Sequence, residues 1–301
     1  PISFKSMGLV EKEWFGNKTD LKTRFLEQPD GLEVWKRLQG QVYGKLMVHA
    51  RLSPGVKWFL KRCRMRGVNI AIVSHKTRHG HYDAEKLPLR EIAFAWLTSR
   101  GVFDPDQCGI NIENVYFEDT RKEKIKRIRE LGVTHFVDDL PEIFDDPEFP
   151  CGVEKILFCP MGQDNQSSCG TRAYVDWQEI GYSLFGYECS TEWKLLASGL
   201  TGKDVTRCGV AVSGGNSHVH RIEMRGEELM ALKRYPVDLK HFRGRLNVEA
   251  MSCQFLHAHE VTVVPGFKGS DEDANVGLYE WIDGIEVTEY SEADLRQLIE
   301  F

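Results

Sequence analysis

Val68-Asn69-Ile70-Ala71-Ile72-Val73-Ser74-His75-Lys76-Thr77 is the stretch on which the fold turns. Its first six residues are apolar except for Asn69, a pattern suited to a short strand buried on both faces. The run then breaks abruptly into polar text. Arg66-Gly67 supplies a turn before it, and Pro54-Gly55 opens an amphipathic helix over residues 56–66, with Trp58, Phe59, Leu60 and Cys63 inward. Lys57, Lys61, Arg62, Arg64 and Arg66 fall on the opposite face, a basic run that reads as solvated surface.

Working outward, a helix over 89–100, a strand around 115–117, a helix over 122–131 and strands at 135–137 and within 152–158 follow in turn. Strands alternating with helices argue for an α/β fold with a doubly wound parallel sheet. Upstream, residues 1–50 read as helices, from the spacing of Trp14, Phe15, Leu21, Phe25 and Leu26 and then of Val34, Trp35, Leu38 and Val42. Downstream, residues 161–190 turn polar, as in Gln163-Asp164-Asn165-Gln166-Ser167-Ser168, and read as a connection. Beyond it come short strands near 209–212, 219–223 and 230–233, one helix over 241–259, and strands near 261–265 and 276–282. That is an antiparallel α+β lobe. Two domains are expected, 1–180 and 190–301.

Bulk properties narrow the function. A chain of 301 residues can bury two ordinary cores. A net charge of -6 argues against a nucleic-acid partner, whose footprint is basic. No apolar run reaches the roughly 20 residues of a membrane span, so no membrane partner is expected. Eight cysteines show no CxxC pair and no Cys/His ligand spacing, so reduced thiols and a cytoplasmic setting are expected. The text opens at Pro1 without an initiator methionine and closes at Phe301 in helix-like text. A segment of a longer protein is the expectation.

In an open parallel sheet, ligands gather at the carboxyl ends of the strands. Ser74 follows the first strand, and its hydroxyl and nearby N–H groups suit phosphate oxygens. Lys124 stands at a helix start after the second, with Lys122 in reserve. Asp138-Asp139 follow the third; paired carboxylates at a strand tip call for a cation, and Mg²⁺ suits oxygen ligands. Taken singly, Ser74 reads equally as a turn cap, Lys124 as a solvated charge and Asp138-Asp139 as a helix cap.

As an ordered set over residues 50–160, strand–Ser, helix-start Lys and strand–Asp-Asp resemble the later motifs of the haloacid dehalogenase superfamily. The resemblance implies that Ser74 binds a transferring phosphoryl group, Lys124 neutralises it, and Asp138 and Asp139 hold Mg²⁺. It also implies an earlier strand ending Asp-x-Asp that supplies the nucleophile. Residues 1–50 hold none: Asp20 follows Asn-Lys-Thr and Asp30 lies in a Gln-Pro-Asp-Gly turn. This domain is therefore expected to bind Mg²⁺ and phosphate weakly and turn nothing over.

The second half carries its own constellation. Gly214-Gly215-Asn216-Ser217 sits between two strand-like runs, a hairpin tip whose backbone can approach a triphosphate. Lys233 follows in an apolar setting, and Glu249 lies on the helix sixteen residues later. A half-buried lysine needs an anionic partner, and such a pair can fix an ammonium against nucleotide phosphates. With Trp193, Val264-Pro265 and Leu278-Tyr279-Glu280-Trp281-Ile282-Asp283-Gly284, this resembles the small lobe of kinase-like phosphotransferases of the aminoglycoside and choline kinase group. The resemblance implies ATP as ligand, with the backbone from Glu280 to Ile282 meeting the adenine. Gly199-Leu-Thr-Gly202-Lys203-Asp204 is too short for a P-loop and ends in Asp. The large lobe of such kinases, with its catalytic Asp, is not in this text.

A phosphoryl-transfer protein acting on a phosphorylated small molecule and a nucleotide, catalytically incomplete as given, is the leading reading. A non-catalytic phosphate- or nucleotide-binding scaffold is the alternative. Repair of nucleic-acid ends fits neither the acidity nor the missing P-loop.

Overall fold

Lys18–Leu26 (α1) and Gly31–Tyr43 (α2) form a helical pair with a small core of Leu21, Phe25, Trp35 and Leu38. The computed structural model describes residues 18–80, 85–160, 170–186, 190–214, 217–226, 228–235, 244–283, 291–292 and 296. Trp14 and Phe15, expected on a helix, lie outside the described residues. Two compact units divide the chain, Pro1–Tyr187 and Glu188–Phe301.

In the first unit, α2 is followed by Val56–Met65 (α3), Ile72–His75 (β1), Leu89–Ser99 (α4), Val115–Glu118 (β2) and Arg121–Glu130 (α5). His135–Asp138 (β3), Pro141–Phe144 (α6), Glu154–Phe158 (β4), Thr171–Tyr174 (β5) and Trp177–Phe185 (α7) complete it. β1 pairs in parallel with β2, while β3, β4 and β5 pair in parallel in that order. These are two sheets of two and three strands, in place of the single doubly wound sheet expected. An apolar gap lined by residues 68–73 and 131–137 lies between them.

The continuous apolar text of the strands has a physical cause. Ile72 packs with Val56, Phe59 and Ile156 on one face, and Val73 with Ile128, Phe144 and Leu157 on the other. Successive residues thus feed two cores, and neither face can be polar.

One side chain departs from its expected place. Arg62 is 1% exposed and donates from Nη2 to the Gly186 carbonyl at 2.9 Å, with its guanidinium 5.4 Å from the centre of the Phe185 ring. Helix α7 covers it, and α7 and β5 both lie within the stretch 161–190 expected to be a connection. Asp176 caps α7 by accepting from the Glu179 N–H at 2.8 Å.

The second unit runs Ser190–Thr201 (α8), Val205–Gly214 (β6), Ser217–Met224 (β7), Leu229–Arg234 (β8), Arg245–Ala258 (α9), Phe267–Asp271 (β9) and Val276–Glu280 (β10). The strands form one antiparallel sheet in the order β6-β7-β8-β10-β9. The strand expected at 261–265 starts instead at Phe267. The Val261 N–H bonds the Leu256 carbonyl at 3.0 Å to close α9, and Pro265 offers no N–H to a ladder. On β7, His220, Ile222 and Met224 are buried, and the His220 ring lies 5.0 Å from Trp193 of α8. Ala231, Tyr235 and Tyr279 pack instead with Leu246 and Cys253 of α9. The protein is therefore mixed α/β, with parallel strands in one unit and antiparallel strands in the other.

Among the described residues no helix is long and apolar enough to cross a membrane. Cys63, Cys151, Cys208 and Cys253 are free thiols.

Candidate functional site

Two arrangements of charge stand out, one in each unit. In the first, Thr120 caps α5 through a reciprocal pair of bonds: its hydroxyl accepts from the Glu123 N–H at 3.1 Å, and Glu123 Oε2 accepts from the Thr120 N–H at 3.0 Å. That cap fixes the rotation of the helix, so Lys124, Ile125 and Ile128 all face inward. Lys124 then meets Asp138 of β3 in an ion pair between two side chains that are 8% and 6% exposed. The ammonium lies 5.5 Å from the Phe136 ring centre. Asp138 Oδ1 also accepts from the Leu140 N–H at 3.0 Å. Burial pushes the Asp138 carboxyl up, against the pull of the Lys124 ammonium and its hydrogen bond.

Ser74 is half-buried near the carboxyl end of β1, opposite Phe117 of β2. The loop after it is tied to the loop after β2. The Lys76 N–H bonds the Glu118 carbonyl at 2.8 Å, and Arg90 bridges the Lys76 carbonyl at 2.8 Å and Asp119 at 2.7 Å. Lys122, the reserve candidate, is an exposed helix residue paired with Glu148 at 3.3 Å.

Of the expected quartet, Lys124 and Asp138 touch; Asp139 is exposed beside them. The donor set does not fit a resident Mg²⁺. Both oxygens of Asp138 already have partners, and among the described residues no cluster of three or more His, Cys, Asp or Glu side chains could hold a metal.

In the second unit, Lys233 of β8 donates to both carboxylate oxygens of Glu249 on α9, at 2.7 and 2.8 Å. Both side chains are partly exposed, at 26% and 35%. The sheet explains the meeting: Lys233 lies two residues beyond Ala231 and two before Tyr235, on the face that α9 covers. Beneath the pair, the Tyr235 and Tyr279 hydroxyls are 2.8 Å apart. Burial drives the Tyr235 phenol far up and the Tyr279 phenol to about 12, so both stay neutral under Lys233.

Gly214 ends β6 opposite Ser217, which begins β7. Gly215 and Asn216, the expected tip of the hairpin, lie outside the described residues. Glu280 is otherwise engaged. Its N–H donates to the Gly266 carbonyl at 2.8 Å, and its carboxylate accepts from the Gly266 N–H at 3.1 Å and from Lys268 at 2.6 Å. The Lys268 ammonium, then the Gly266 N–H, hold that carboxyl below its usual range. Glu280 fastens β10 to the chain entering β9, and its N–H has no donor left for an adenine. Ile282 is 52% exposed past the end of β10.

Sequence reasoning missed the tyrosine pair and Arg62. The tyrosines carry a readable signal only once β8 and β10 are known to be neighbours. For α7, the Asp176…Glu179 spacing was a usable start signal.

Known proteins add little. No family model matches the chain and no curated protein does. Among solved structures, a protein assigned as a fructosamine-3-kinase from Thermobifida fusca YX-ER1 aligns at 24% identity over 30% of this chain and 31% of its own length, with a TM-score of 0.26. So loose an overlap does not establish a shared fold.

Proposed function

We propose that the second unit is a nucleotide-binding, kinase-like small lobe that holds the phosphates of ATP. The observation that carries this reading is the two-pronged bond between Lys233 and Glu249. A carboxylate that grips one side of an ammonium fixes its position and leaves N–H donors for phosphate oxygens. Partial exposure of the pair leaves room for a ligand. Gly214 pairs with Ser217 at the end of the β6–β7 ladder, and backbone N–H groups at that end can approach a triphosphate. Trp281 and Ile282 carry the adenine contact in this reading, since the Glu280 N–H is engaged. Mg²⁺ belongs here as the ion that accompanies the nucleotide.

The first unit we read as a haloacid-dehalogenase-like domain taking the phosphoryl group of a small molecule, with Ser74 and Lys124 as its phosphate contacts and Asp138 as the carboxylate that positions Lys124. A binding role without turnover is favoured by one observation: both Asp138 oxygens are engaged, one with Lys124 and one with Leu140. Residues 1–50 contain no Asp-x-Asp sequence to supply a nucleophile. The 301 residues are thus proposed to bind phosphate and nucleotide while lacking parts that catalysis requires.

Titration with MgATP, followed by backbone amide shifts, tests the reading. Shifts at Ser217, Lys233 and residues 280–282, lost in Lys233→Met, are expected. Shifts confined to the first unit, or none at all, would refute the nucleotide site.

A further inference from the structure

Helix α9 is apolar on two opposite faces. Leu246, Ala250 and Cys253 are buried, and Leu246 and Cys253 pack with Tyr235 and Tyr279 of the sheet. At about 3.6 residues per turn, Val248, Met251 and Phe255 fall on the far side, and they are 51%, 69% and 62% exposed. A surface helix ordinarily turns polar residues outward; one that is apolar on both sides calls for a neighbour on both.

This outward stripe is ordered by its own contacts. The His259 ring lies against the Phe255 ring, with centroids 4.1 Å apart, and its Nδ1 donates to the Phe255 carbonyl at 2.8 Å. An aromatic side chain already held in place loses little freedom on binding, and such rings are the usual anchors of protein interfaces.

We propose that the outward face of α9 is a self-association surface, on which a second copy of the chain lays the same helix antiparallel across a two-fold axis. Two observations carry the choice of a second copy. The first is shape. A two-fold contact must be self-complementary. With the axis between Met251 and Ser252, Val248 faces the partner's Phe255, Ser252 faces the partner's Met251, and Gly244 faces the partner's His259. Each bulky side chain then meets a smaller one.

The second is charge. Arg245 stands at the start of the stripe and Glu260 just past its end, both exposed, and among the described residues neither has an ion-pair partner. Antiparallel crossing brings Arg245 beside the partner's Glu260 at both ends of the seam. A parallel crossing would set like charges together, so charge selects the direction.

A lipid surface fits less well. A helix lying on a membrane carries Lys and Arg along its polar flanks, whereas Arg245 is the one such residue of α9. The apolar stripe spans two turns, at the small end of specific interfaces, so the dimer is expected to be weak, with a dissociation constant in the micromolar range. Glu249 lies off this face, so pairing does not require a bound nucleotide.

Sedimentation of the 301-residue chain from about 1 to 200 µM tests the proposal. The expected result is a monomer–dimer equilibrium that stops at two copies. Phe255→Asp puts a charge into the seam and should raise the dissociation constant by about tenfold or more. Arg245→Glu and Glu260→Arg each create a like-charge contact at both ends and should each raise it by about threefold or more. The double exchange Arg245→Glu/Glu260→Arg restores opposite charges and should bring it back to within about twofold of the parent. These side chains are exposed, so thermal unfolding of the variants should match the parent; Met251→Glu repeats the test should Phe255→Asp fold poorly.

A monomer at every concentration would overturn the proposal. So would association untouched by Phe255→Asp and Met251→Glu, which would place the contact elsewhere. Failure of the double exchange to recover pairing would exclude the antiparallel seam, and growth into open-ended aggregates would mean a sticky patch without a two-fold partner; either result also overturns it.

Discussion

Lys124 and Asp138, 14 residues apart, meet as a buried ion pair between the first turns of α5 and the end of β3. A cation near a helix amino terminus opposes the helix dipole, so this lysine is held there by its carboxylate and not by its helix. The pair joins a helix of the two-stranded sheet to the edge strand of the three-stranded one.

Removing one partner should expose that dependence. Lys124→Met or Asp138→Leu alone leaves a buried charge uncompensated, and each should destabilise the first unit by about 3–5 kcal/mol. The double variant Lys124→Met/Asp138→Leu replaces both charges with apolar groups and should recover most of the loss. Denaturant unfolding of the four proteins, with hydrogen exchange to assign the transition to the first unit, decides the matter. Additive losses would show that the contact contributes nothing specific.

For Lys233 and Glu249 the expected balance is reversed. The pair is partly exposed, so Lys233→Met or Glu249→Gln should alter stability by no more than ~1 kcal/mol. Each should nevertheless weaken MgATP binding by about tenfold or more, equivalent to ~1.4 kcal/mol. Calorimetric titration beside thermal unfolding separates the two effects. A large stability loss with unchanged nucleotide affinity would make the pair structural.

His220 sets an acid limit on the second unit. Burial against Trp193, aided by His218 and Arg234, takes its imidazole from 6.5 down to about 4. In the unfolded chain it binds a proton near 6.5, so between these values the unfolded state holds more protons. Stability contributed above 6.5 is therefore lost as pH falls toward 4, by roughly 3 kcal/mol at most. His220→Phe keeps an aromatic ring beside Trp193 and should flatten this part of the profile. An unchanged acid limb in the variant would place the titration elsewhere.

How much of this was legible in the sequence depends on how local the cause is. Strands β1 to β4 of the first unit were readable from their apolar text, whereas β5, Thr171–Tyr174, fell in a stretch read as a connection. Lys124 was readable as a lysine at a helix start, but its inward rotation, fixed by the Thr120…Glu123 cap, was not read from the sequence. The division of the parallel strands into two sheets was not, since nothing within β1 or β3 records what lies along its open edge. Arg62 looked solvated for a similar reason: the helix that covers it comes more than a hundred residues later. The bonds that Gly266 and Lys268 make to Glu280 were not legible, because both partners stand more than ten residues earlier in the chain.

Gly277 offers the sharpest test of how the sheet supports the second site. It sits opposite Lys233 in the β8–β10 pairing. A Cβ added there would lie 2.7 Å from the Tyr279 ring, 2.9 Å from its hydroxyl and 3.0 Å from Leu246. Neither the ring nor the leucine can yield easily, because both belong to the packed cluster under α9. Gly277→Ala should therefore destabilise the second unit by about 1–3 kcal/mol through overpacking. The displacement should also separate the Tyr235 and Tyr279 hydroxyls and shift α9, carrying Glu249 away from Lys233. Gly277→Ala/Tyr279→Leu removes the ring and should restore much of the stability, though not the tyrosine contact. Thermal unfolding and MgATP titration of both variants check the argument. A fully stable Gly277→Ala with normal nucleotide affinity would mean that the strand relaxes freely and that the tyrosine pair has no part in holding the site.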